Sequence, residues 1–328
     1  MSVHAALFPS LWVNISGDCL DGDRILANKP LGVAASGHKE TSRAARLLLE
    51  QGGNAFDAAL GAMCTACVSE PMLASLGGGG FLLAQTAQGK STVFDFFTQT
   101  PSASSGELDF YPIHADFGTT TQEFHIGMGS IAVPGVVAGL FSIHASLGSL
   151  PLPVIIEPAV QLAREGLRVN RLQDYINQIL RPIIEATPTA KALATPMFAP
   201  GRLAEIGEFI YNPDLADTLE SLTRHGPEWF YTGEPARQLV RDCEELGGLI
   251  TAEDMRAYRV IQREPVAIDS HGARILFNSP PSPGGCLVAF ALSLLCGLRP
   301  GQGDWGGTDH VMALARVMEA TSKIGRAH

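Results

Sequence analysis

Positive charge is scarce in this sequence. Its 328 residues include 23 lysines and arginines against 33 aspartates and glutamates, which gives a formal net charge of −10 at pH 7. Proteins that bind the phosphate backbone of nucleic acids need clusters of basic side chains, because much of their affinity comes from counterion release. The composition therefore argues against a nucleic-acid partner.

Long hydrophobic runs are also missing. A membrane-spanning helix needs roughly 20 consecutive apolar residues, and no stretch of the sequence approaches that length. Residues 1–18 lack the basic start of a secretory signal, and Pro9 interrupts their short apolar part. These features predict a cytoplasmic protein without a membrane span.

The sequence has neither a disulfide framework nor a metal-binding spacing. Cys64 and Cys67 form a C-x-x-C pair in an apolar stretch without a second pair or a nearby histidine, so we interpret them as packed side chains. The histidines have neither i+4 nor H-E-x-x-H spacing. We expect no metal and no cofactor. The six cysteines are scattered, at Cys19, Cys64, Cys67, Cys243, Cys286 and Cys296.

Hydrophobic residues, in contrast, are abundant. They make up 46% of the chain and charged residues only 17%, which supports a substantial core and excludes a disordered chain. Length alone suggests about two domains, and one large layered domain is equally permitted.

A helix with a strong start signal is predicted over residues 55–69. Asn54 follows two glycines and is a natural N-cap, and Asp57 places a carboxylate in the first turn, where the helix dipole favours it. Nearly every side chain that follows is apolar or small, so we expect the helix to be buried. Pro71 ends it.

A glycine turn and a strand pair follow this helix. Strands are predicted at residues 81–86 and 91–97, joined by a short turn. The glycines permit a close backbone approach, and they lack the G-x-x-x-x-G-K-S/T pattern of a phosphate-binding loop. The turn consists of four consecutive glycines, Gly77, Gly78, Gly79 and Gly80.

These residues resemble the γ-glutamyltranspeptidase family of N-terminal nucleophile (Ntn) hydrolases. The family's GGNAxDAA segment corresponds to residues 52–59, its helix-ending EP to residues 70–71, its GxGGGGF turn to residues 77–81 and its D-x-R-E-x-A-P run to residues 95–101. Further pieces of the family's pattern lie at residues 133–135, 158–166, 213–219, 230–233, 247–258 and 278–285.

The resemblance covers roughly residues 31–320 and implies an α+β fold. The expected architecture is an incomplete four-layer αββα Ntn-hydrolase sandwich in a γ-glutamyltranspeptidase-like region, residues 31–328, with a helical block inserted at about 150–258. Residues 1–30 carry little pattern and are expected to form an amino-terminal extension.

Local patterns predict the remaining elements. We expect a strand at 31–36, a helix at 40–51, a polar loop at 102–126, and a short strand and turn at 129–135. One helix is predicted to begin at Glu157. Other helices are predicted at residues 171–184, 214–224, 234–246, 286–296 and 310–320, and strands at 266–268 and 273–277.

The family's nucleophile has no counterpart in the sequence. The resemblance implies a proenzyme that cleaves itself and exposes a threonine, in a T-x-H-x-S/T-x-x-D motif, as the first residue of a small subunit. That motif is absent, and Thr119, Thr120, Thr121 and Thr321 lack its flanking residues. We therefore expect no catalytic residue in this chain, a large-subunit portion that is inactive alone, and a small subunit carrying the threonine as its partner. A non-catalytic remnant of the family is the alternative.

Substrate recognition departs from the family pattern at one position. The resemblance implies an arginine that holds the substrate's α-carboxylate, where this sequence has Phe97, and no arginine occurs between Arg46 and Arg164. Phe97 either favours an apolar or flat acyl group, as in an acylase, or packs inside the strand pair. The expected substrate is a small-molecule amide or γ-glutamyl compound, with Asp95 and the glycine turn as structural residues near the site.

Overall fold

The computed structural model describes residues 32–103, 107–196, 199, 201–270, 272–298 and 306–325. The predicted extension, residues 1–30, lies outside the described residues. From Ala34 onward the described residues belong to one compact unit. Within them, no helix combines the length and apolar character that crossing a bilayer requires.

Helices and strands both contribute to the fold. The helices are α1 (Lys39–Glu50), α2 (Ala55–Ser69), α3 (Val136–Leu147), α4 (Leu152–Glu165), α5 (Arg171–Ile179), α6 (Arg181–Ile184), α7 (Pro188–Leu193), α8 (Pro213–His225), α9 (Pro227–Tyr231), α10 (Glu234–Leu246), α11 (Ala252–Ala257), α12 (Pro283–Leu298) and α13 (Thr308–Gly325). The strands are β1 (Gly80–Gln85), β2 (Ser91–Phe96), β3 (Tyr111–Asp116), β4 (Thr121–Ile126), β5 (Leu167–Arg168), β6 (Phe209–Ile210), β7 (Ile261–Arg263), β8 (Val266–Ser270) and β9 (Ala273–Phe277).

The strands pair antiparallel. A three-stranded sheet has the order β1-β2-β7, and β3–β4, β5–β6 and β8–β9 form separate two-stranded pairs. In the larger sheet Phe81 lies opposite Asp95, and Asp95 lies opposite Ile261. The strand pair predicted after the glycines is therefore confirmed, and it gains a third strand from a distant part of the chain.

The predicted helix α2 is confirmed together with its capping box. The side chain of Asn54 accepts from the backbone N–H of Phe56 and Asp57, and the Asp57 carboxylate accepts from the Asn54 N–H. Asp57 also accepts from the N–H and hydroxyl of Ser149 and from the N–H of Leu150. These hydrogen bonds fasten the start of α2 to the turn between α3 and α4.

The core lies between the helices α1 to α4 and α8 and the three-stranded sheet. Leu48, Leu60, Ile155, Phe94 and Leu140 are almost completely buried in one continuous apolar cluster. Burial on this scale contributes about 1.5–3 kcal/mol for each large side chain, relative to its exposed state.

Gly61 shows why the small residues of α2 matter. A Cβ atom at this position would lie 2.1 Å from the side chain of Leu48 on α1 and 3.0 Å from the carbonyl oxygen of Ile155 on α4. The missing side chain therefore lets α1 and α4 pack closely against α2.

The C-x-x-C pair lies on the buried side of α2. Cys64 and Cys67 are both buried, and burial raises the pKa of both thiols, that of Cys67 to about 12. Because the thiolate is the form that attacks disulfides and binds metals, this environment suits packing.

Two predictions for strands and loops are wrong. Residues 32–36 are not a strand: they belong to no strand pair of the described residues, and Val33 is 93% exposed. Residues 102–126 are not one loop, because β3 and β4 form a hairpin there. Both faces of this hairpin are largely exposed and carry polar residues, so the alternation of apolar and polar residues that indicates a strand is weak. Gly118 lies in the turn of the hairpin with a φ of 85°.

Three boundaries also differ from the prediction. The helix expected to start at Glu157 begins at Leu152, with Pro158 inside it. The helix predicted at 171–184 is divided into α5 and α6 at Leu180, two residues before Pro182. The strand predicted within 129–135 is only a bridge between Gln99 and Val133, which follows a 3-10 turn at Met128–Ser130.

Candidate functional site

The candidate site is centred on the glycine turn that leads into β1. Gly78 is held from two sides: its N–H donates to the carbonyl oxygen of Ser75 at 3.1 Å, and its own carbonyl oxygen accepts from the N–H of Gly135 at 2.8 Å and of Val136 at 3.1 Å. The segment that contains the V-P-G sequence therefore fixes the position of the turn.

Gly79 brings the turn against the end of β2. A Cβ atom here would lie 2.4 Å from the backbone nitrogen of Thr98 and 2.8 Å from the carbonyl carbon of Phe97. A Cβ atom at Gly77 would meet nothing closer than the Ser75 hydroxyl, at 3.7 Å. Gly77 and Gly79 thus differ in how much space a side chain would have.

We expect Gly79→Ala to destabilise the protein by about 2–3 kcal/mol, because the atoms it would meet belong to the backbone and cannot rotate away. Gly77→Ala is the matched control, with an expected change within about 0.5 kcal/mol or a slight gain from reduced unfolded-state entropy. Urea denaturation of the two variants measures the difference. Equal free energies of unfolding would contradict the close approach.

Phe97, which the motif spacing predicts to occupy the family's arginine position, lies just after β2 and is 50% exposed. Its ring stacks on that of Phe81, with centroids 5.5 Å apart and an interplanar angle of 17°. One side of the Phe97 ring therefore packs on Phe81 of β1, and the other half of the side chain is exposed in this chain. The half-buried Phe81 and the half-exposed Phe97 together form an aromatic surface beside the glycine turn.

Asp95 supports the backbone of Phe97. Its buried carboxylate accepts from the N–H of Phe97 at 3.1 Å and from the Nε of Arg263 at 2.8 Å. Arg263 belongs to β7, which lies next to β2 in the sheet. The pair compensates a buried negative charge, which is costly to leave alone.

Two stacked tyrosines donate hydrogen bonds to the backbone of the two segments that contact the glycine turn. The Tyr258 hydroxyl donates to the carbonyl oxygen of Phe97 at 2.8 Å, and the Tyr231 hydroxyl donates to that of Pro134 at 2.8 Å and accepts from the N–H of Ala138 at 3.1 Å. The two rings are 5.7 Å apart and nearly parallel, at 6°. Burial raises the pKa of both hydroxyls, and the charge of Asp95 raises that of Tyr258 further, so both remain protonated donors at neutral pH.

An open cavity of about 660 Å³ adjoins the glycine turn. It is lined by Gly78, Gly79, Gly80 and Phe81, and by a half-buried face of α2 that includes Ala59, Ala62, Met63 and Ala66. Its volume falls within the ~300–1,000 Å³ that is usual for small-molecule sites. In the described ranges, no group of three or more histidine, cysteine, aspartate or glutamate side chains is arranged to hold a metal ion.

The structure thus brings together the residues that the sequence singled out, the glycine turn, Asp95 and Phe97. Their supporting partners were not predicted as site residues: Phe81, Gly135, Tyr231, Tyr258 and Arg263. The sequence did contain a signal for four of them, since Phe81 ends the GxGGGGF turn and the other three lie in the V-P-G, F-Y-x-G and G-G-L-I-T-A-E-D-M-x-x-Y pieces of the family pattern; Arg263 lies in none of these pieces.

Comparison with known proteins adds three findings. The sequence matches the family model described as Gamma-glutamyltranspeptidase over residues 41–325. It is 29% identical to the Glutathione hydrolase proenzyme of Escherichia coli (strain K12), over 87% of this chain and 48% of that protein. It is 30% identical to the Acylase ACY 1 proenzyme of Pseudomonas sp. (strain V22), over 88% of this chain and 52% of that protein.

A solved structure is also similar. The crystal structure of Helicobacter pylori gamma-glutamyltranspeptidase aligns with a TM-score of 0.78 and 28% identity, over 90% of this chain and 84% of that chain. The expected α+β fold is thereby confirmed. The chain spans about half the length of the curated relatives it matches.

Proposed function

This chain belongs to the γ-glutamyltranspeptidase family, and we propose that it is the large-subunit portion of a self-processing proenzyme that transfers an acyl group from an amide to water or an amine. The chain supplies the glycine turn, the aromatic pair and one wall of the site. A separate portion carrying a T-x-H-x-S/T-x-x-D motif supplies the nucleophilic threonine, whose own α-amine can act as the base.

Uncovered apolar surface on α13 carries this proposal. Ala313 and Val317 are buried, and α13 packs on α12. On another face Val311, Leu314 and Met318, at i, i+3 and i+7 spacing, are exposed, Met318 to 68%. A helix that is apolar on two faces is normally buried between two layers.

The half-buried face of α2 points to the same conclusion. Its small apolar side chains line the large cavity beside the glycine turn, and contiguous exposed apolar surface marks interaction sites. We infer that the portion carrying the threonine covers α13 and closes the cavity wall formed by α2.

The decisive experiment compares the chain alone with the chain plus the portion that carries the motif. Turnover of γ-glutamyl-p-nitroanilide, glutaryl amides and aromatic amides is expected only when both are present. An in-frame T-x-H-x-S/T-x-x-D motif in the downstream coding sequence supports the enzyme, whereas a genuine stop codon with no such motif supports a non-catalytic remnant. Turnover by the chain alone would refute the assignment of the nucleophile.

Association through α13 has its own test. We expect Met318→Glu to weaken binding of the threonine-bearing portion at least tenfold, because it places a charge in an apolar contact. Met312→Glu is the control, since Met312 is also exposed but lies on the side of α13 that carries Arg316, Glu319 and Lys323. Surface plasmon resonance measures both affinities, and equal losses would contradict an interface at the apolar stripe.

An acylase of other specificity is the second candidate, and the stack of Phe81 on the half-exposed Phe97 favours it. A ring at this position offers a flat apolar surface and no charge for an α-carboxylate. One relative is named an acylase proenzyme. On this reading the acyl group is apolar or flat rather than γ-glutamyl.

We expect Phe97→Arg, made in the complete proenzyme, to shift the ratio of kcat/KM for γ-glutamyl over aromatic amides towards γ-glutamyl by about 10- to 100-fold. This corresponds to the roughly 1.5–3 kcal/mol of a hydrogen bond to a charged group. Phe117→Arg, at another exposed phenylalanine on the β3–β4 turn, is expected to leave the ratio unchanged. Wild-type preference for γ-glutamyl amides would rule out the acylase candidate.

A further inference from the structure

A second open cavity, of about 360 Å³, lies where α9, α10 and α11 meet. Three arginines line it, Arg237, Arg241 and Arg256, and among the described residues no carboxylate does. The local concentration of cations contrasts with the net charge of −10 of the chain, and a cleft lined by one sign of charge attracts ligands of the opposite sign.

The three guanidinium groups keep donors for a ligand. In the contacts of the described residues each engages neighbouring side chains through one nitrogen only: Nε of Arg237 and Nη2 of Arg241 with Glu234, and Nη1 of Arg256 with Glu253. Arg241 Nη2 also donates to Gln238. Two carboxylates therefore hold three cations in place, and each guanidinium keeps N–H donors that these contacts do not use.

The remaining lining is largely apolar. Tyr231, Ala236, Val240 and Ala252 contribute to the wall. The Tyr231 hydroxyl is already committed to Pro134 and Ala138, so its ring is what remains for contact. Guanidinium groups with free N–H donors match carboxylates and phosphates geometrically, while an aromatic and aliphatic wall matches an apolar body.

We propose that this cavity binds a small organic anion, a carboxylate or phosphate carried on an apolar body. The site goes beyond the acyl-transfer function, because it is lined by none of the residues of the glycine turn or the aromatic pair. The two regions are nevertheless connected: Tyr231, which lines the cavity, stacks on Tyr258, whose hydroxyl holds the carbonyl oxygen of Phe97.

Calorimetric titration of the full chain tests the proposal, with phenyl phosphate, phenylacetate, inorganic phosphate and benzyl alcohol as probes. We expect one-site binding of phenyl phosphate or phenylacetate that weakens with added salt, with the tighter of the two identifying the anion. Inorganic phosphate and benzyl alcohol are expected to bind at least tenfold more weakly, because inorganic phosphate lacks the apolar body and benzyl alcohol lacks the anionic group.

The double variant Arg237→Gln/Arg241→Gln should weaken binding of the aryl anion at least tenfold. Its matched control is Arg164→Gln/Arg224→Gln, which removes two arginines that likewise share one carboxylate, that of Glu220, and should change affinity less than twofold. All four side chains are largely exposed, so both variants should fold, as thermal melting verifies. No binding of either aryl anion, equal losses in both variants, or inorganic phosphate binding as tightly as phenyl phosphate would overturn the proposal.

Discussion

The variant Asp57→Ala is expected to lose about 3–5 kcal/mol of stability. Asp57 is completely buried, and its carboxylate accepts from Asn54, Ser149 and Leu150. Alanine would leave these part-buried donors without their acceptor, and each buried unsatisfied group costs about 1–3 kcal/mol. The capping box of α2 would also be lost.

Asp214→Ala is the matched control for this variant. Asp214 also lies in the first turn of a helix that begins with an asparagine cap, α8, but it is exposed. Its loss should cost less than about 1 kcal/mol, the usual size of a helix-dipole interaction. Guanidinium denaturation of both variants measures the contrast, and a small effect at Asp57 would mean that α2 is not fastened through its carboxylate.

The pH dependence of stability provides a second test of the stabilising role of the Asp57 carboxylate. Burial acts to raise the pKa of this carboxyl, but the hydrogen bonds from Ser149, Asn54 and Leu150 outweigh it and hold the pKa below its ordinary value of 3.8. A group whose pKa is lower in the folded state stabilises the fold above its unfolded pKa, and that contribution disappears as the pH falls through the folded pKa. The difference in unfolding free energy between wild type and Asp57→Ala should therefore be constant near neutral pH and shrink below the ordinary value.

Gly135→Ala is expected to cost about 3–4 kcal/mol, at the upper end for overpacking. Its added Cβ would lie 1.9 Å from the carbonyl oxygen of Phe96 and 2.3 Å from the Tyr258 hydroxyl. The φ of −116° at Gly135 suits any residue, so the effect comes from space alone. Relief would require moving the backbone, and that would strain the hydrogen bonds from Gly135 and Val136 to Gly78.

Gly297→Ala provides the comparison, because a Cβ at Gly297 would meet nothing within 4 Å. This change lies in α12, where alanine favours the helix by up to about 1 kcal/mol. The midpoint of chemical denaturation should fall for Gly135→Ala and stay the same or rise for Gly297→Ala. The dependence of the unfolding free energy on denaturant concentration should be the same in both variants as in the wild type. A tolerated Gly135→Ala would show that the V-P-G segment does not pack against β2 in this way.

Elements defined by neighbouring residues could be predicted from the sequence. Helix α2 carries its own cap in Asn54 and Asp57, and the β1–β2 pair is joined by a short turn, so both were predicted nearly to the residue. These features depend on contacts within a few tens of residues.

Features set by distant pairing could not be predicted. Nothing near Asp95 in the sequence indicates Arg263, which reaches it only because β7 joins the edge of β2. Residues 32–36 have a strand-like composition, yet a strand requires a second backbone to pair with. In the β3–β4 hairpin both faces are largely exposed, so the alternation that identifies a strand is weak.

The pairing of β7 with β2 has a consequence for synthesis on the ribosome. The partners Asp95 and Arg263 are 168 positions apart, so the nascent chain must be extended past Arg263 before the charge on Asp95 can be neutralised. Contacts of such long sequence separation slow folding, since the loop must close before it is stabilised. The surroundings of Asp95 and Phe97 are thus completed only after the segment that contains Arg263 has left the ribosome.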